Sequence, residues 1–104
     1  MRYLIRGIVP ADVGNKLDAS GGPGKLLGHM MSRFKPECAY ANYASREIIL
    51  VVDFETPAKQ AEFMLLWSRW FGNYAEMTSV HPMSNTQKDV EEAMGHVNKA
   101  PPAL

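Results

Sequence analysis

"REIILVVDFETP" (46–57) is the stretch on which the fold turns. Its centre, Ile48 to Val52, is an unbroken aliphatic run rich in β-branched side chains. Such a run is too short for a typical helix and apolar on both strand faces, so it reads as a central strand over 46–55. Thr56-Pro57 then reads as a helix start, with Thr56 as N-cap and Pro57 in the first turn. The helix runs to Gly72, a C-terminal stop. On it, Phe63, Leu66, Trp67, Trp70 and Phe71 recur at spacings of three and four, which makes a packing stripe.

Upstream, "ECAYANYAS" (37–45) is a more polar, tyrosine-rich strand, close enough to the first to form a hairpin with it. "PGKLLGHMMSRFK" (23–35) places Leu26, Leu27, Met30, Met31 and Phe34 on one helix face, although Gly24 and Gly28 weaken that helix. Residues 10–22 read as a loop with at most a short helical turn. "RYLIRGIV" (2–9) is a strand that stops at Pro10. Downstream, "YAEMTSVHP" (74–82) is a fourth strand. Ser84 and Gln87 fit a capping box ahead of a last helix with Val90, Ala93, Met94 and Val97 on one face.

The order β-α-β-β-α-β plus a trailing helix predicts one α+β, ferredoxin-like domain over 1–104. Right-handed crossovers put both main helices on one face of an antiparallel sheet, with the first and third strands central. Tyr3, Ile5, Gly7, Val9, Ile48, Leu50, Val52 and Phe54 then face the helices. The other face carries Leu4, Ile8, Ile49 and Val51 together with Arg6 and Asp53. An apolar patch of that size predicts a two-fold homodimer of facing sheets, unless the last helix folds over it.

Composition narrows the classes of function. The chain has 104 residues, 46% hydrophobic, with 11 basic and 11 acidic side chains that cancel. A neutral chain without a basic run gives no reason to expect nucleic acid or an acidic membrane. The RNA-recognition motif shares this element order but needs aromatic rings mid-strand, where "REIILVVDF" is aliphatic. One cysteine, Cys38, allows no internal disulfide and points to a reducing compartment. With no membrane-length apolar run and no signal peptide at "MRYLIRGIVP", a soluble cytoplasmic protein is expected.

"DASGGPGKLL" (18–27) invites comparison with a phosphate-binding loop and fails it. Counting back from Gly24-Lys25, the first glycine position holds Ala19, and Leu26 stands where a hydroxyl must bind magnesium. Pro23 also removes a backbone N–H from the cradle. The glycines are therefore read as a turn.

Arg6, Asp53 and His81 are the candidate catalytic residues. Arg6 and Asp53 could lie side by side on the central strands, one holding an anion and the other moving a proton. The alternative is a structural ion pair between them. His81, at the end of the fourth strand, has the right intrinsic acidity for proton transfer, or is simply a strand-end histidine. Tyr40 and Asn42 share one face of the second strand and could shape a ligand pocket, or an interface. No metal is expected, because the three histidines lack ligand spacing and one cysteine is too few. No G-x-S-x-G supports a serine hydrolase.

Element order, length and one-sided sheet together resemble the dimeric α/β-barrel superfamily, which includes muconolactone isomerases and antibiotic-biosynthesis-type monooxygenases. The local likeness lies in "YANYASREIILVVDFETPAKQAEF" and in "WFGNYAEMTSVHPMSN", where a strand runs into His-Pro and a serine. The resemblance implies a dimeric barrel that needs no cofactor. It also implies a small organic acid or lactone as ligand, with isomerase or monooxygenase chemistry. Trp67 becomes a ligand-binding candidate through it alone. A non-enzymatic ligand-sensing or interaction module is the alternative.

Overall fold

A computed structural model describes residues 1–18 and 21–103. Among these, the elements are β1 (Arg2–Ile8), α1 (Ala11–Asp18), α2 (Pro23–Phe34), β2 (Cys38–Asn42), β3 (Glu47–Asp53), α3 (Pro57–Phe71), β4 (Glu76–Ser79), a 3₁₀ turn (Met83–Asn85) and α4 (Thr86–Val97). The chain is α+β, with one four-stranded antiparallel sheet in the order β2-β3-β1-β4. This arrangement is compatible with a ferredoxin-like fold.

One face of the sheet carries the core. Ile5 and Val9 of the first strand region and Leu50, Val52 and Phe54 of the third are buried against Met30 and Phe34 of α2 and Phe63, Trp67 and Phe71 of α3. Aromatic rings form a continuous chain through it. Phe34 meets Phe63 at 5.2 Å and Phe54 at 5.9 Å, and Trp67 lies 4.4 Å from Phe71. Gly7 lets Trp67 lie directly on β1, because a Cβ there would come within 2.3 Å of the indole ring.

Caps fix α3 as its sequence requires. The Thr56 hydroxyl accepts from the Lys59 N–H at 3.2 Å, and Gly72 ends the helix in the left-handed region at φ 73°. α2 instead ends at Lys35, a non-glycine residue at φ 47°, one residue before Pro36.

Two expectations need correction. Residues 11–18 form a helix rather than a loop, with Val13 and Leu17 one turn apart and both packed on the core. Gly14 is buried beneath the Arg46 guanidinium, leaving room where a Cβ would stand 2.8 Å from Nη1. At the other end, the capping box does not form. Asn85 precedes α4 without a side-chain cap, and Gln87 donates to Glu91 one turn on rather than reaching back. In the turn before α2, Gly21 and Gly22 take φ 107° and 80°, as a glycine turn needs. Ala19 and Ser20, within the stretch compared with a phosphate loop, lie outside the described residues.

Among the described residues, no helix covers the second face of the sheet. α4 buries no residue, and the element against which it chiefly packs is the adjoining 3₁₀ turn. The molecule is accordingly elongated, 61 × 30 × 25 Å, with a radius of gyration of 18.2 Å. A compact chain of this length has about 13 Å.

Candidate functional site

Strand register lays out the open face in rows. Tyr40, Ile49, Arg6 and Glu76 form one row; Cys38, Val51, Leu4 and Thr78 form the next. Leu4, Ile49 and Val51 are half-buried at its centre, Ile8 is 49% exposed and Tyr40 is 69% exposed. An ionic cluster stands at each end of this apolar middle.

The first cluster centres on Asp53. Its carboxylate takes the Met1 ammonium at 3.0 Å and the Arg2 guanidinium at 3.5 Å, and Arg2 also holds Glu37 at 2.7 Å. The N-terminal ammonium, with a smaller contribution from Arg2, keeps the Asp53 carboxyl below the usual carboxylate range. The second cluster is Arg6 with Glu47, at 2.9 Å. Arg6 and Asp53 are therefore not neighbours. The Cα partner of Arg6 is Ile49 and that of Asp53 is Arg2. Four residues of β1 separate the two rows, about 13 Å.

Asp53 instead shares a surface depression with His81. Both line an open depression of ≈430 Å³ at the corner where β1, β3 and the end of β4 meet, together with Arg2, Ser79 and Asn85. The Val80 N–H donates to the Arg2 carbonyl at 3.0 Å, which carries the strand pairing one residue past β4 and sets His81 at this corner. Carboxylate, imidazole and guanidinium at one opening can bind an anion and exchange a proton with it.

The remaining candidates separate. Tyr40 stands on the open face over Ile49. Asn42 serves the hairpin, its Oδ1 accepting the Ala44 N–H at 3.1 Å. Trp67 is 1% exposed, closed in by Gly7, Phe63 and Phe71, so it is core rather than a ligand-facing ring. Its indole N–H donates to Asn73 Oδ1 at 2.7 Å.

No protein-family model, curated protein or solved structure matches the chain. Among the described residues, no cluster of three or more His, Cys, Asp or Glu side chains is placed to hold a metal ion. No helix among them is long and apolar enough to cross a membrane.

Sequence reasoning missed Arg2, Glu37 and Glu47 as the partners that occupy Asp53 and Arg6. Alternation puts Arg2 on the same face as Arg6. What it cannot supply is the β1–β3 register, because two helices and a strand separate these strands and no turn fixes their alignment.

Proposed function

We propose that two copies of this chain pack sheet to sheet about a two-fold axis and enclose a binding site for a small organic anion, such as a carboxylic acid, or for its lactone. One observation carries this reading: the open face holds Leu4, Ile49 and Val51 between the Asp53 cluster and the Arg6–Glu47 ion pair, with Ile8 opposite Glu47 in the outermost row. An uncovered apolar band with a charged border has the make-up of an interface with polar groups at its rim. The resemblance to dimeric α/β barrels supports the same arrangement. In this reading Arg6, whose side chain is half exposed, orients the anion. His81 and Asp53 handle protons at the corner depression, and Tyr40 forms part of the wall.

A second reading, a non-enzymatic ligand-sensing or interaction module, is favoured by the pairing of the charges. Arg2, Arg6 and Asp53 are all engaged in ion pairs, and a carboxyl held below its ordinary acidity range is a weaker base. A thermal-shift screen of carboxylic acids and lactones separates ligand binding from a pure interaction module. A ligand at 100 times its dissociation constant adds about 2.7 kcal/mol, a rise of about 10 °C for a domain of this size. The ligand-binding reading expects such a rise, lost in Arg6→Ala. No rise with any acid or lactone leaves the interaction module.

A further inference from the structure

We infer that the chain binds a free apolar α-amino acid in the cavity between α1, α2 and the β2–β3 turn, with Arg46 on its carboxylate and Asp18 on its ammonium. This cavity lies on the helix-bearing side of the sheet. The inference therefore goes beyond the site on the open face and needs no second copy.

The cavity has a volume of ≈430 Å³ and apolar walls. Val9 follows β1, Leu27 comes from α2, and Ile48 comes from the helix-facing side of β3. Two charged side chains, Arg46 and Asp18, line the same space. Apolar walls with a few polar groups are the usual make-up of a small-molecule site.

Arg46 is held there by its backbone. It stands in the β2–β3 turn at φ 55°, a left-handed conformation uncommon for a residue with a Cβ. Its carbonyl accepts the Val9 N–H at 3.0 Å, which ties the turn to the end of β1. Its guanidinium lies over Gly14, the buried glycine of α1, where a Cβ would stand 2.8 Å from Nη1. Among the described residues, the one acceptor it meets is the Ala11 carbonyl, at a long 3.4 Å. Most of a five-donor fork is left without a protein acceptor.

Asp18 ends α1, and among the described residues its carboxylate takes part in no ion pair or hydrogen bond. Glu47, the third charged residue at the cavity, is already held by Arg6 at 2.9 Å. A cation and an anion thus line one cavity without pairing with each other. A simple carboxylic acid would answer Arg46 but meet Asp18 as a like charge, and a simple amine would do the reverse. A zwitterion answers both, its carboxylate on the guanidinium fork and its ammonium on Asp18. Its apolar side chain then covers Val9, Leu27 and Ile48.

Isothermal titration calorimetry on the full chain tests the site, with L-leucine, L-methionine and L-phenylalanine as probes. At least one should bind saturably, with one site per chain. The analogue of that probe lacking the ammonium, and the analogue lacking the carboxylate, should each bind at least tenfold more weakly. Arg46→Gln and Asp18→Asn should each weaken binding at least tenfold, whereas Arg6→Ala should leave it unchanged. Asp18→Asn, at an exposed helix end, serves as the test should Arg46→Gln fail to fold. No saturable binding of any probe overturns the inference, as does an analogue that binds as tightly as the amino acid. Binding lost in Arg6→Ala but kept in Arg46→Gln and Asp18→Asn also overturns it, and assigns the ligand to the open face instead.

Discussion

Gly7 and Asn73 act on the same indole from two sides. A Cβ at Gly7 would stand 2.3 Å from Trp67, whose ring is 1% exposed and lies against Phe63 and Phe71. Gly7→Ala should therefore destabilise the chain by about 1–3 kcal/mol, read from urea unfolding. Asn73 accepts the Trp67 N–H and donates to the Ile8 carbonyl at 2.9 Å, joining the end of α3 to β1. Asn73→Ala leaves that indole N–H without its acceptor and should cost about 1–3 kcal/mol by the same measurement. The acidic residues give a pH dependence. The N-terminal ammonium lowers Asp53 and the Arg33 guanidinium lowers Glu62. A carboxyl whose folded pKa lies below its unfolded value stabilises the fold above about pH 4. That contribution is lost as pH falls through the folded pKa. Wild-type urea midpoints should drop more steeply below about pH 4 than those of Asp53→Asn combined with Glu62→Gln. Parallel curves would show these pairs to be inert.

Among the elements, α3 has the clearest local signals, and its cap is testable. Thr56→Ala removes the acceptor for the Lys59 N–H and should cost about 1 kcal/mol, whereas Thr56→Ser should be nearly neutral. The same stretch shows why so much of the fold was legible. The aliphatic run of β3, the Thr-Pro start and the Gly stop are each local, and each agrees with its neighbours. Alternation along β1 and β3 also separated the buried face from the open one. α1 was harder to read, because its signal is one pair, Val13 and Leu17, in a segment studded with glycine. The capping box failed for a related reason. Ser84 and Gln87 have the right spacing, but residues 83–85 form a 3₁₀ turn, so α4 starts too late for the pair to close. The site was the least legible part. Which charges meet across β1 and β3 depends on register, and register here is set by long-range packing rather than by a turn. That is why Arg6 was paired with Asp53 in expectation, yet meets Glu47 in the structure.

At the scale of the molecule, the chain leaves two apolar surfaces in water: the open face of the sheet and the stripe on α4. A chain of 104 residues has little core to spare, and burying the open face through a second copy would enlarge it. The open face is the primary contact in this account. Ile49→Asp, which places a charge at its centre, should give a folded monomer with an unchanged circular-dichroism spectrum. Sedimentation equilibrium of the full chain at micromolar concentration tests the central claim most directly. The account predicts a species of twice 11.6 kDa. A single species of 11.6 kDa throughout that range would contradict it.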